Sequence, residues 1–145
     1  MKSILLCCSL LILGASVCSA QEIGARWGDV TGGDWAVDMV LGTAQFNRIH
    51  ADISFGNGVG VDLLWDLLYR PLGEEALFYY AGVGPYAYFE DPFIFGVVGE
   101  LGLEYRFKDV PLVVGGDWRP SLRLTQDVDF GAGGFGLNVR YVFGK

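Results

Sequence analysis

The sequence predicts an all-β fold: an eight-stranded antiparallel up-and-down β-barrel that crosses a membrane, with a polar, filled lumen. Three observations carry this prediction. Segments of alternating polar and apolar residues recur along the chain, separated by short connections rich in Gly, Pro, Asn and Asp. The apolar register of these segments places aromatic residues at its ends and aliphatic or small residues in its middle. The polar register holds Arg, Asp and Glu in near balance, set among glycines.

The alternation is clearest in GELGLEYRF, residues 99–107. One register reads Glu100, Gly102, Glu104, Arg106; the other reads Leu101, Leu103, Tyr105, Phe107. A period of two over this length describes a strand with two unlike faces. Eight such segments are read, at 22–28, 35–42, 47–55, 59–70, 76–89, 93–107, 111–124 and 135–144.

Each segment contributes to both faces. The first sets Glu22 and Arg26 against Ala25 and Trp27, and the second sets Asp38 against Trp35, Val37 and Met39. The third sets Arg48, His50, Asp52 and Ser54 against Ala51 and Phe55. The fourth sets Asp62, Asp66 and Arg70 against Val61, Leu63, Trp65 and Tyr69. The fifth opposes Gly82 and Gly84 to Tyr79, Ala81 and Val83; the sixth is the stretch above with Phe93 and Phe95 before it. The seventh opposes Asp117, Arg119 and Arg123 to Val114 and Trp118. The eighth opposes Asn138 and Arg140 to Leu137, Val139, Tyr141 and Phe143. Short links between successive strands make neighbours antiparallel. Eight strands in one such path suggest a closed barrel. Pro85 and Pro120 are expected at the upper rim, because a closed ladder has no edge on which to hide a missing N–H.

The chain opens MKSILLCCSLLILGASVCSAQ, the pattern of a cleavable signal peptide over 1–20 with Cys18 and Ala20 before the cut. Its apolar run is shorter than the ~20 residues of a spanning helix. All three cysteines, Cys7, Cys8 and Cys18, fall within it, so the barrel domain at 21–145 has no disulfide. Acidic residues outnumber basic ones, which argues against nucleic acid as a partner.

Which face is inside follows from height and charge. Let the first strand run upward. The upper ends then carry Trp27, Trp35, Phe55, Phe89 and Trp118, and the lower ends carry Tyr69, Tyr105, Phe107, Tyr141 and Phe143. A bilayer selects two aromatic girdles around an aliphatic band. Trp27, Trp35, Tyr69, Tyr105, Phe107, Trp118, Tyr141 and Phe143 are assigned to them.

The polar register of the strands holds eight acids and seven bases, every base an Arg. Arg suits enclosed bidentate pairs, and buried charges need partners. A lumen ion network is therefore expected from Arg26, Arg48, His50, Asp52, Asp62, Glu100, Glu104, Arg106, Asp117, Arg119, Arg123 and Arg140. Eight strands leave an interior just wide enough for side chains, so an open pore is not expected.

Signs of chemistry are few. The barrel domain has one histidine, His50, and two serines, Ser54 and Ser121. His50 and Ser54 share a strand face but stand about 13 Å apart at the usual rise, too far for a nucleophile and its base. One His with no Cys does not make a common zinc site. Gly131, Gly133 and Gly136 spell G-x-G-x-x-G before a strand, the wrong context for a dinucleotide. No catalytic, cofactor or metal residue is assigned. The upper connections carry Asp29, Asp34, Glu90, Asp91, Asp127 and Asp129 without Lys or Arg, read first as a solvated, mutually repulsive set and, as the alternative, as a rim that holds divalent cations. The 125–134 loop, with Phe130 among glycines, is the best candidate for a partner contact.

The stretches RIHADISFGNGVGVDLLWDLLYRPLG, GLEYRFKDVPLVVGGDWRP and GFGLNVRYVFGK carry a resemblance. The chain resembles the small eight-stranded outer-membrane β-barrel proteins of Gram-negative bacteria. The last stretch is similar to the carboxy-terminal signal read by the barrel-insertion machinery. It departs from that pattern at Asn138, where Gly is common, and at Gly144 and Lys145, which follow the terminal aromatic. The resemblance implies an outer-membrane location, contact with outer-membrane lipids and lipopolysaccharide, insertion through the last strand, and a monomer. It implies a structural or envelope-associated role without catalysis. The alternatives are a module that binds a divalent cation, lipid or partner at its outer rim, and a lipid-modifying enzyme.

Overall fold

The computed structural model describes residues 21–44, 47–73 and 76–144. The expected signal peptide and its cysteines lie outside the described residues. The ten strands are β1 (Gln21–Val30), β2 (Gly33–Ala44), β3 (Asn47–Phe55), β4 (Val59–Pro71), β5 (Leu77–Phe89), β6 (Ile94–Arg106), β7 (Leu112–Trp118), β8 (Ser121–Arg123), β9 (Asp129–Gly131) and β10 (Phe135–Phe143).

The strands form one antiparallel sheet in which β1 pairs with β10 and β5 with β6. These pairings close an eight-stranded barrel. β7 and β8 are one stave in two pieces, since both pair with β6: Arg106 with Val113, and Gly96 with Arg123. The seventh segment, read from sequence as continuous over 111–124, breaks at Arg119 and Pro120 because proline cannot donate to the ladder. Its carbonyl still accepts from the Gly99 amide at 2.8 Å. The 125–134 connection, expected as loop, contains β9, which pairs with β8.

Pro85 does not lie at the rim as expected. It sits inside β5 opposite Val97. On its other side one register runs from Asp62–Tyr86 to Trp65–Val83. The register shift of this ladder comes further along β4. A bulge between Asp66 and Leu68 in β4 leaves Leu67 and Leu68 both exposed. An extra residue inverts the alternation beyond it. Tyr69 therefore turns into the lumen and leaves the girdle to which the sequence pattern assigns it. Arg70 is turned off the lumen face, where it bonds the Tyr69 carbonyl at 3.3 Å.

The core of this barrel is charged and its surface is apolar. Arg26, Asp38, His50 and Arg140 are fully enclosed, whereas Trp65, Leu101 and Leu137 are 54%, 52% and 68% exposed. Outward-facing aromatics pair across neighbouring strands and a turn at the upper rim, and two residues apart in the chain at the lower rim. Trp35 meets Phe55, Phe89 meets Phe93, and Trp118 stacks on Phe135 at the upper rim. Tyr105 meets Phe107 and Tyr141 meets Phe143 edge-on at the lower rim. The lumen is not wholly polar. Leu64, Tyr86 and Val98 form an apolar cluster inside, with Ile94 packed against it.

Candidate functional site

The lumen is built from the inward positions of every stave, and glycine makes room for its long side chains. A Cβ on Gly136 would sit 2.5 Å from the Arg26 guanidinium carbon, and one on Gly102 would sit 2.2 Å from the Tyr80 ring. Small inward residues thus let large ones cross the barrel.

Four guanidinium groups organise the interior. Arg140 reaches Glu22 at 2.9 Å, Asp38 at 3.0 Å and Glu104 at 2.5 Å. Arg48 reaches Asp66 at 2.6 Å and Glu104 at 2.8 Å, and lies 4.4 Å from the centroids of both the Tyr69 and Tyr80 rings. Arg119 donates to Asp52 and twice to Glu100 Oε1, and stands 3.5 Å from Asp62. Arg26 donates to Asp117 at 2.6 and 2.8 Å and to the carbonyls of Asp29 and Gly134. Arg106, nearer the lower opening, meets Glu22 at 2.6 Å and Glu104 at 3.0 Å. Breaking one side of a buried pair typically costs about 3–5 kcal/mol.

The structure brings eleven of the twelve expected network residues together. The exception is Arg123. Its side chain is 33% exposed and stands 4.0 Å from the exposed Asp129. The break at Pro120 ends the enclosed part of the stave below it, so Arg123 belongs to the mouth. Glu22, Asp38 and Asp66, which lie on the polar register, join the network, as do Tyr69, Tyr80 and Asn138. Tyr80 carries no signal in the sequence, because β5 places tyrosines on both faces.

With Arg70 off the lumen face and Arg123 at the mouth, the near balance expected from the sequence does not hold. Eight enclosed carboxylates (Glu22, Asp38, Asp52, Asp62, Asp66, Glu100, Glu104, Asp117) face five arginines and His50. Asp52 Oδ1 and Asp66 Oδ1 are buried without a hydrogen-bond partner, as are Arg48 Nη2 and Asn138 Oδ1.

His50 sits at the centre of this surplus. Its Nε2 is 2.5 Å from Asp38 Oδ1, and its Nδ1 is 3.0 Å from Glu100 Oε1. Neither ring nitrogen is directed at a serine. Ser54 donates to the Thr31 carbonyl. Among the described residues, two groups have donor atoms within 4.8 Å of one another: Asp38, His50 and Asp52, and His50, Asp66 and Glu100. The rim carboxylates, for which cation binding is the alternative to a solvated set, form no such group among the described residues. One of them, Asp29, accepts from the Gly134 amide at 2.8 Å.

Above the network the barrel opens into a cavity of about 290 Å³. Asp62 and Arg119 contribute to its polar lining, while Tyr86, Tyr88, Ile94 and Val98 supply its apolar part. Arg123 and Asp129 line it from β8 and β9. Phe130, in the connection above, is 64% exposed.

No family model, no curated protein and no solved structure matches this chain.

Proposed function

We propose that this chain is a small outer-membrane β-barrel of a Gram-negative envelope, exported through its signal peptide and monomeric. Its role is structural or envelope-associated, without catalysis. One observation carries the reading: the barrel encloses its charges and exposes a continuous aliphatic band bordered by aromatic pairs. Exposed apolar surface on this scale is unfavourable in water and suits a bilayer, where closed barrels satisfy every backbone group. The filled lumen favours a rigid strut over a conduit. Lipids and lipopolysaccharide contact the outer belt, and the alternating β10 is the segment offered to the insertion machinery.

The mouth cavity favours a second reading, an outer-rim binding module. It combines polar groups with tyrosine rings, the mixture small-ligand sites use for orientation and burial. A lipid-modifying activity is third, since His50 and Ser54 have other partners.

Fractionation and gel mobility test the main reading. The protein should sediment with outer membranes, require detergent for extraction, and run faster unheated than boiled. A chain that stays soluble without detergent overturns it.

A further inference from the structure

His50 stands between two carboxylates, and the two contacts are not equivalent. A neutral imidazole has one donor nitrogen and one acceptor nitrogen. With Nε2–H given to Asp38, the Nδ1 lone pair faces Glu100, whose Oε2 lies 3.1 Å away. Two acceptors this close need a proton or a metal cation between them.

A second carboxylate converges on the same place. Asp66, Gly82 and Glu100 form a cross-strand row over β4, β5 and β6. A Cβ on Gly82 would sit 2.4 Å from Asp66 Oδ1. Asp66 thus leans over the missing side chain, along the row toward Glu100. Its Oδ1 has no hydrogen-bond partner, and the residue is fully buried. Arg48 holds the other oxygen at 2.6 Å. Glu100 gives Oε1 to Arg119 at 2.8 Å, which leaves Oε2 for the space between the three residues.

The geometry points to a buried divalent-cation site made by His50 Nδ1, Asp66 Oδ1 and Glu100 Oε2. One imidazole with two carboxylates suits a transition dication of the zinc or manganese kind. Asp38 on the other ring nitrogen is the partner such a histidine ordinarily has, since it fixes the tautomer and the ring orientation. Donors that the sequence lacks as cysteines are supplied by β4 and β6. A dication also offsets part of the carboxylate surplus. The alternative group of Asp38, His50 and Asp52 is less suited, because Arg119 Nη2 lies 3.2 Å from the Nε2 it would use.

The mature barrel, residues 21–145 without the cysteines of the signal peptide, is unfolded with chelator, refolded into detergent micelles with and without Zn²⁺, and desalted. Metal content should be one zinc per barrel after refolding with zinc. Asp66→Asn and His50→Gln should each lower it at least tenfold, while rim variants Asp127→Asn and Asp129→Asn leave it unchanged. Folding of each variant is checked by heat-modifiable mobility. Should neither lumen variant fold, the wild type refolded with Co²⁺ decides the matter. Visible bands of mixed nitrogen and oxygen ligation support the site, and the spectrum of the aqueous ion overturns it. Wild type without retained zinc, or folded Asp66→Asn with full zinc, also overturns it.

Discussion

The Tyr69 hydroxyl donates to Glu104 Oε1 at 2.9 Å from inside the barrel. The bulge after Asp66 puts it there, against the sequence alternation. A hydrogen bond to a charged group contributes about 1.5–3 kcal/mol. Tyr69→Phe should therefore lower stability by roughly that much, read as an earlier urea midpoint in detergent. An unchanged midpoint would return Tyr69 to the outer girdle.

Glu104 also receives Arg140, and Arg140 spans three carboxylates. Arg140→Met should cost about 3–5 kcal/mol, because it leaves buried carboxylates unpaired. Adding Glu104→Gln removes one of those charges and should recover part of the loss. The cycle is measured by equilibrium unfolding of both single variants and the double variant.

Arg119 and Arg123 sit four residues apart on one stave, either side of Pro120, yet differ in environment. Arg119→Met removes a partner from Asp52 and Glu100 and should cost about 3–5 kcal/mol. Arg123→Met breaks a long, exposed pair with Asp129 and a 3.3 Å bond to the Asp127 carbonyl, and should cost at most about 1 kcal/mol. Equal losses in the two unfolding curves would contradict the placement of Arg123 at the mouth.

The outer belt should respond to charge by height. Leu101→Arg, in the band between the aromatic rims, should cost about 2–4 kcal/mol in a bilayer, and Phe143→Arg, at the lower rim, about 1 or less. Reversible unfolding from lipid vesicles measures both. A loss that does not depend on height would argue against the membrane belt.

Much of this architecture is legible in the chain, though unevenly. β3 and β6 alternate cleanly, so His50, Asp52, Glu100 and Glu104 fall on one register without ambiguity. β4 reads DLLWDLLYR, where consecutive leucines hide a one-residue bulge, and Tyr69 and Arg70 exchange faces as a result. β5 has aromatic residues on both sides, so periodicity says nothing of Tyr80, Tyr86 or Tyr88. The apparent charge balance depended on Arg70 and Arg123. The bulge turns Arg70 off the lumen face, and Arg123, beyond the break at Pro120, lies at the mouth above the enclosed network. The convergence of Asp66, Glu100 and His50 depends on three staves coming together across a glycine, which no local pattern encodes.

In the proposed outer-membrane reading the apolar face lies in lipid and is sorted by depth. Single-tryptophan variants in vesicles of brominated phospholipids test it most directly. Trp65 alone should be quenched most by bromines near mid-chain, and Trp35 alone by bromines close to the headgroup. Quenching of both by aqueous acrylamide, with no response to brominated lipid, would contradict the account.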